Sequence, residues 1–268
     1  MSRKKLVVSG DSWTAGVHQR PFQHQRQKNG RGRPIFLTDP AKNVSPAYTL
    51  WPKYLADMLG MDVINVGLGG RGNEFIYNHI IDKLSSVKNV GLTIVMWSDQ
   101  NRWDFVGNRT LRIDPSILDP FKGQPKKIID RYRPVFDAIK DANLVSTEYN
   151  FLKSLRWYNA FQNYCVNENI SYMQCSGFNE IDRAKRNDII STIIDHPVFY
   201  KINENNFYGW PIFHEIGGFT LNNKVDEIDP EGKKFRVSDE DNHPNTEGHK
   251  FIAELLYNHY VKLYARPN

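Results

Sequence analysis

Four short apolar runs punctuate the chain: Lys5–Ser9, Asp62–Val66, Leu92–Trp97 and Ile170–Gln174. Each is followed by a longer stretch in which apolar residues recur at helical spacing. Trp51, Tyr54, Leu55, Met58 and Leu59 share one helical face, with Pro52 in the tolerated first turn. Phe75, Ile76, His79, Ile80 and Leu84 make a second face. The pattern from Ile128 to Asn167 reads as two helices, the later one turning Phe151, Leu152, Leu155, Tyr158, Phe161 and Cys165 inward. A final helix carries Phe251, Ile252, Leu255, Leu256, Tyr260 and Leu263. Parallel strands need a crossover and antiparallel ones do not. This alternation therefore predicts an α/β chain with a parallel sheet and helices on both faces.

The 268 residues show no internal repeat and no linker, which predicts one domain over 1–268. Two segments break the rhythm. Residues 17–47 are rich in Gln, Arg, Gly, Pro and Asn without periodicity, and 184–238 hold the aromatic, glycine-rich "NNFYGWPIFHEIGGFTL". Both read as insertions. Phe207, Tyr208, Trp210, Phe213 and Phe219 within the second are expected in the core, with a sugar-stacking wall as the other reading.

Two cysteines, Cys165 and Cys175, allow neither a disulfide framework nor a four-ligand zinc site, and both read as buried thiols. No stretch approaches the roughly 20 apolar residues of a membrane span. The start, Met-Ser-Arg-Lys-Lys-Leu-Val-Val, reads as a first strand and not as a signal peptide. The formal charge of +5 gathers partly between 17 and 34, where Arg20, Arg26, Lys28, Arg31 and Arg33 stand without an acid. Only Phe22 is interleaved there, which argues against a nucleic-acid surface; the first reading is a solvated loop, with an anion-binding surface built from these arginines as the other.

In an open parallel sheet, ligands bind at the carboxyl ends of the strands. The polar turns collect at that rim: Gly10-Asp11-Ser12, the glycine-rich 67–73, and Ser98-Asp99-Gln100-Asn101. The loop before the last helix, holding His243, can join them. A serine hydroxyl attacks a carbonyl only when a base takes its proton and a third group holds that base. Ser12, His243 and Asp241 supply those three types, with Glu240 as the alternative acid. The flexible backbone of Gly70 suits an N–H donor to an oxyanion. The spacing of Asp241, His243, Glu247 and His249 matches no compact metal site. Gly67, Gly70 and Gly72 fall in the wrong order for a dinucleotide fingerprint. No cofactor and no metal are expected.

In block order the chain resembles the SGNH/GDSL hydrolases. Gly10-Asp11-Ser12 is similar to their nucleophile block, "NVGLGG" to their glycine block, and "DNHPN" to the block bearing acid and base. The resemblance implies a three-layer α/β/α sandwich on a flavodoxin-like sheet of about five strands. It also implies a metal-free serine esterase acting on acyl groups, often acetyl groups of carbohydrates, with Gly70 in the oxyanion role. The third block departs. Asp99 stands where the family has asparagine, and a carboxylate cannot donate to an oxyanion. Gln100 and Asn101 are the amides left to do so. A weaker likeness links the chain to SGNH-type proteins of tailed bacteriophages, hence a location in the cytoplasm or on a virion. Virion or homo-oligomer contacts are then the expected macromolecular partners, with no membrane partner. A binding or structural module that has lost efficient chemistry is the competing function.

Overall fold

The computed structural model describes residues 2–16, 49–105, 111–113, 126–142, 144, 146–178, 183–238 and 241–264. The expected insertion at 17–47, with its basic stretch, and the alternative acid Glu240 lie outside them.

Five parallel strands form the central sheet: β1 (Lys5–Ser9), β2 (Asp62–Asn65), β3 (Val90–Trp97), β4 (Tyr172–Ser176) and β5 (Phe207–Tyr208). Their spatial order is β2-β1-β3-β4-β5. The helices in chain order are α1 (Ser12–Ala15), α2 (Trp51–Leu59), α3 (Asn73–Leu84), α4 (Lys126–Asp141), α5 (Thr147–Asn167), α6 (Arg183–Ile194), α7 (Leu221–Ile228) and α8 (Thr246–Tyr264).

Side chains on a strand alternate between faces, and two separate cores follow from that. Leu6, Val8, Leu92, Ile94, Met96, Met173 and Cys175 point to one face, where α2, α7 and α8 bury Leu55, Val225 and Ile252 against them. Val7, Val95, Trp97 and Tyr172 point to the other, where α3, α5 and α6 bring Ile76, Phe161 and Ile193. β3 is buried on both faces from Leu92 onward, so it reads as a continuous apolar run. The α/β/α sandwich is thus the expected one. The helix faces of α2, α3, α5 and α8 meet the sheet as their periodicity requires, except that Met58 and His79, expected on those faces, are exposed.

The segment 184–238, expected to be an insertion, belongs to the layers instead. It holds most of α6 and all of β5 and α7. β5 is two residues long and exists because Phe207 and Tyr208 pair with Gln174 and Cys175. A strand that short has no period to read. Phe207 and Phe213 are core residues, as expected. Cys165 and Cys175 are free and buried. Among the described residues two antiparallel ribbons, Trp103–Phe105 with Leu111–Ile113 and Arg236–Ser238 with Asp241–Pro244, stand apart from the main sheet. No helix among the described residues is long and apolar enough to cross a membrane.

The strand order sets where a ligand can bind. The chain winds one way from β1 to β2 and then the other way through β3, β4 and β5. Right-handed crossovers require the helices to change faces at that reversal. The neighbouring loops then part at the carboxyl ends of β1 and β3, leaving a crevice at this switch point. Ser12 begins the helix that leaves β1 there.

Candidate active site

β1 ends at Ser9, and Gly10 carries the chain into α1. A Cβ on Gly10 would lie 2.2 Å from Thr14 Oγ1, so the tight entry needs glycine. Asp11 caps the short helix, its Oδ1 accepting from the Trp13 N–H. The cap function that Ser12 might have served is therefore taken by its neighbour. Ser12 is buried and its hydroxyl turns to His243, with Oγ 2.8 Å from Nε2.

His243 stands on the ribbon Asp241–Pro244. Its Nδ1 lies 2.5 Å from Asp241 Oδ1, which also accepts from the His243 backbone N–H at 3.0 Å. An ionised carboxylate can only accept, so Nδ1 carries the proton. Nε2 is left with a lone pair facing the serine O–H. Residues 231 apart in the chain thus meet across the rim. Asp241, two residues before the histidine, occupies the acid position.

Asn245 holds this ribbon against α8. Its Oδ1 accepts from the Gly248 N–H, while its Nδ2 donates to the carbonyls of Lys234 and Arg236. A Cβ on Gly248 would lie 2.3 Å from the Phe235 carbonyl oxygen, so only glycine permits that seat. Arg236 completes the support. It donates to the Asn242 carbonyl and to Asp226 of α7, and its guanidinium lies 5.2 Å from the Trp13 ring centroid. His249 is buried in α8.

The loops after β2 and β3 are fastened to the nucleophile turn. The Leu68 N–H donates to the Gly10 carbonyl, and a Cβ on Gly67 would lie 2.9 Å from Thr14. Gly70 has φ 74°, the left-handed region open to glycine. A Cβ on Gly72 would lie 2.5 Å from the Arg102 carbonyl oxygen, so the two loops touch backbone to backbone. Asp104 accepts from the N–H groups of Gly72 and Phe75 and so caps α3. Burial raises the Asp104 pKa, and those two N–H bonds work against the shift.

The third loop departs from a simple amide at the site. Asp99 turns back on its own loop and accepts from the Asn101 N–H at 2.6 Å. Asn101 Oδ1 in turn accepts from Asn150 Nδ2 of α5, whose own Oδ1 takes the Trp103 indole N–H. With its oxygen engaged, the Asn101 carboxamide has its NH2 side to offer. Gln100 is buried beside it. Two backbone donors, the N–H groups of Ser12 and Gly70, have no hydrogen-bond partner among the described residues. Sequence reading missed Asp11, Arg102, Asn150, Asp104 and Arg236. Asp11 stands inside the Gly-Asp-Ser block and carried a signal; the others stand in no motif.

No family model matches the chain, and no curated protein matches it. Among solved structures, it is similar to a member of the lipolytic protein G-D-S-L family from Veillonella parvula DSM 2008. The match has 11% identity and a TM-score of 0.41, over 98% of this chain and 100% of that one. It is also similar to TesA, with 12% identity and a TM-score of 0.43, over 97% of this chain and 99% of that one. These are loose superpositions and add nothing to the geometry above.

Proposed function

We propose that the protein is a serine ester hydrolase. The observation that carries this reading is the relay Ser12 Oγ–His243 Nε2 and His243 Nδ1–Asp241, at 2.8 and 2.5 Å. Ser12 Oγ attacks the ester carbonyl carbon as its proton passes to His243 Nε2. The carbonyl oxygen becomes an oxyanion, held by the N–H groups of Ser12 and Gly70 and by the side-chain amide of Asn101 or Gln100. Each well-placed donor of this kind is worth about 3–4 kcal/mol. Collapse of the tetrahedral intermediate expels the alcohol, which takes the proton from His243. Water then repeats the sequence on the acyl-enzyme, with His243 again the base, and releases the acid. Asp241 holds the imidazole in the productive tautomer and stabilises the cation it becomes.

The substrate class is an O-acyl, chiefly O-acetyl, ester of a carbohydrate. It rests on the family resemblance of the sequence motifs. A panel of small esters and acetylated glycans, assayed on wild type, Ser12→Ala and His243→Ala, tests both levels. Turnover and fluorophosphonate labelling fall by at least about 10⁴-fold in either variant. A Ser12→Ala protein as active as wild type removes the reading.

One observation favours a second reading. Asp99, in the asparagine's place, is turned inward, so the third block has lost its usual donor. A binding or virion component that keeps the fold would show no turnover of any ester, with retained affinity for glycan or particle.

A further inference from the structure

Arg102 is the knot at which the three oxyanion loops are tied. Its Nη1 donates to Asp11 Oδ2 at 2.7 Å and to Ser98 Oγ at 2.6 Å, and Ser98 Oγ itself donates to Asp11 Oδ2 at 2.9 Å. The side chains of Arg102 and Asp11 are 10% and 1% exposed, so the ion pair is nearly dry. The guanidinium lies 4.7 Å from the Phe178 ring centroid, and its Nε makes no hydrogen bond among the described residues. The backbone is equally committed. The Arg102 N–H donates to the Asp99 carbonyl, and the Arg102 carbonyl oxygen presses on Gly72.

The contacts to Asp11, Ser98, Asp99 and Gly72 each end one or two residues from a candidate donor. Asp11 precedes the Ser12 N–H. Gly72 follows Gly70 by two. Asn101 precedes Arg102 itself. Asp11 Oδ1 is meanwhile engaged by the Trp13 N–H, which leaves the Ser12 N–H free to face substrate. A residue that joins all three loops through a water-poor ion pair governs their spacing. Oxyanion stabilisation is sensitive to spacing, because donors aimed at the developing charge lose their effect when displaced.

We infer that Arg102 is a positioning residue of the oxyanion hole, acting through Asp11, Asn101 and the Gly70–Gly72 turn. The inference rests on the esterase reading and deepens it. Arg102 makes no contact with substrate in this scheme. Its effect appears only when charge develops on the carbonyl oxygen.

The test compares an oxygen ester with its thiono analogue, in which C=S replaces C=O. Sulfur accepts hydrogen bonds poorly, so an intact hole favours the oxygen ester. In Arg102→Gln, kcat for the oxygen ester falls about 100-fold, the scale of a misplaced catalytic geometry. KM stays within about twofold, because substrate binding precedes the charge. The oxygen-to-thiono ratio contracts, since the thiono ester has less to lose. Arg102→Lys, which can keep the ion pair with Asp11 and the bond to Ser98, recovers most of the ratio. Should Arg102→Gln fail to fold because Asp11 is left buried and unpaired, Asp11→Asn/Arg102→Gln removes both charges, and its ratio decides. A ratio unchanged from wild type in the folded variant, whether or not both rates drop, overturns the inference. A wild type without Ser12-dependent turnover of either ester overturns the esterase reading itself, a different result.

Discussion

At the scale of single residues, the site is defined by what each side chain is prevented from doing. Asp11 takes the helix cap, so Ser12 does not. Asp241 accepts from Nδ1, so His243 presents a bare Nε2. The tautomer is therefore the property on which the relay depends, and Asp241→Asn is its sharpest probe. The carboxamide has the shape of the acid but can donate to Nδ1, which turns the imidazole to the wrong tautomer. In steady-state kinetics kcat falls by about 10⁴-fold with KM little changed. A loss under tenfold would show that the carboxylate merely packs there.

At the scale of elements, the base arrives on a two-stranded ribbon outside the main sheet, so its position depends on what pins that ribbon. Asn245 does so from the turn before α8, with one bond to the helix, one to Arg236 at the start of the opposite strand and one to Lys234 just before it. Replacing an N-cap asparagine by alanine typically costs about 0.5–2 kcal/mol. Asn245→Ala, which also frees the carbonyls of Lys234 and Arg236, belongs at the upper end, about 2 kcal/mol. Urea unfolding measures the loss. Arg236 works beside it, joining the ribbon to α7 and to the indole next to the nucleophile. Neither partnership has a periodic signature. Helical and strand patterns record which face of an element is buried, and say nothing about which loop carbonyl an amide will find.

At the scale of the whole molecule, burial of histidines ties stability to pH. His249 is driven down from an ordinary 6.5 to about 3, first by burial and then by the nearby His243. His259 moves the same way, chiefly by burial. In each case the folded pKa lies below the unfolded one, so the unfolded chain takes up protons first. The contribution to stability is complete above the unfolded value and is lost as pH falls toward the folded one. For His249 the window runs from about 6.5 down to about 3, with about 2 kcal/mol gone at pH 5. Urea midpoints should fall between pH 7 and pH 5, and His249→Gln, which cannot take up the proton, should show a shallower fall. An equal slope in the variant would contradict this account. The same division between local and global explains what was legible. Strands β1 to β4, the core faces of α2, α3, α5 and α8, and the residue types of the Ser12, His243 and Asp241 set follow from short-range patterns, because alternation and helical period are properties of neighbours in the chain. The two-residue β5, the seating of residues 184–238 in the layers, the turning inward of Asp99 and the Arg102–Asp11 pair belong to the tertiary structure alone. Each depends on groups brought together by the order of the strands, and strand order is settled by packing between elements, which no local pattern of residues records.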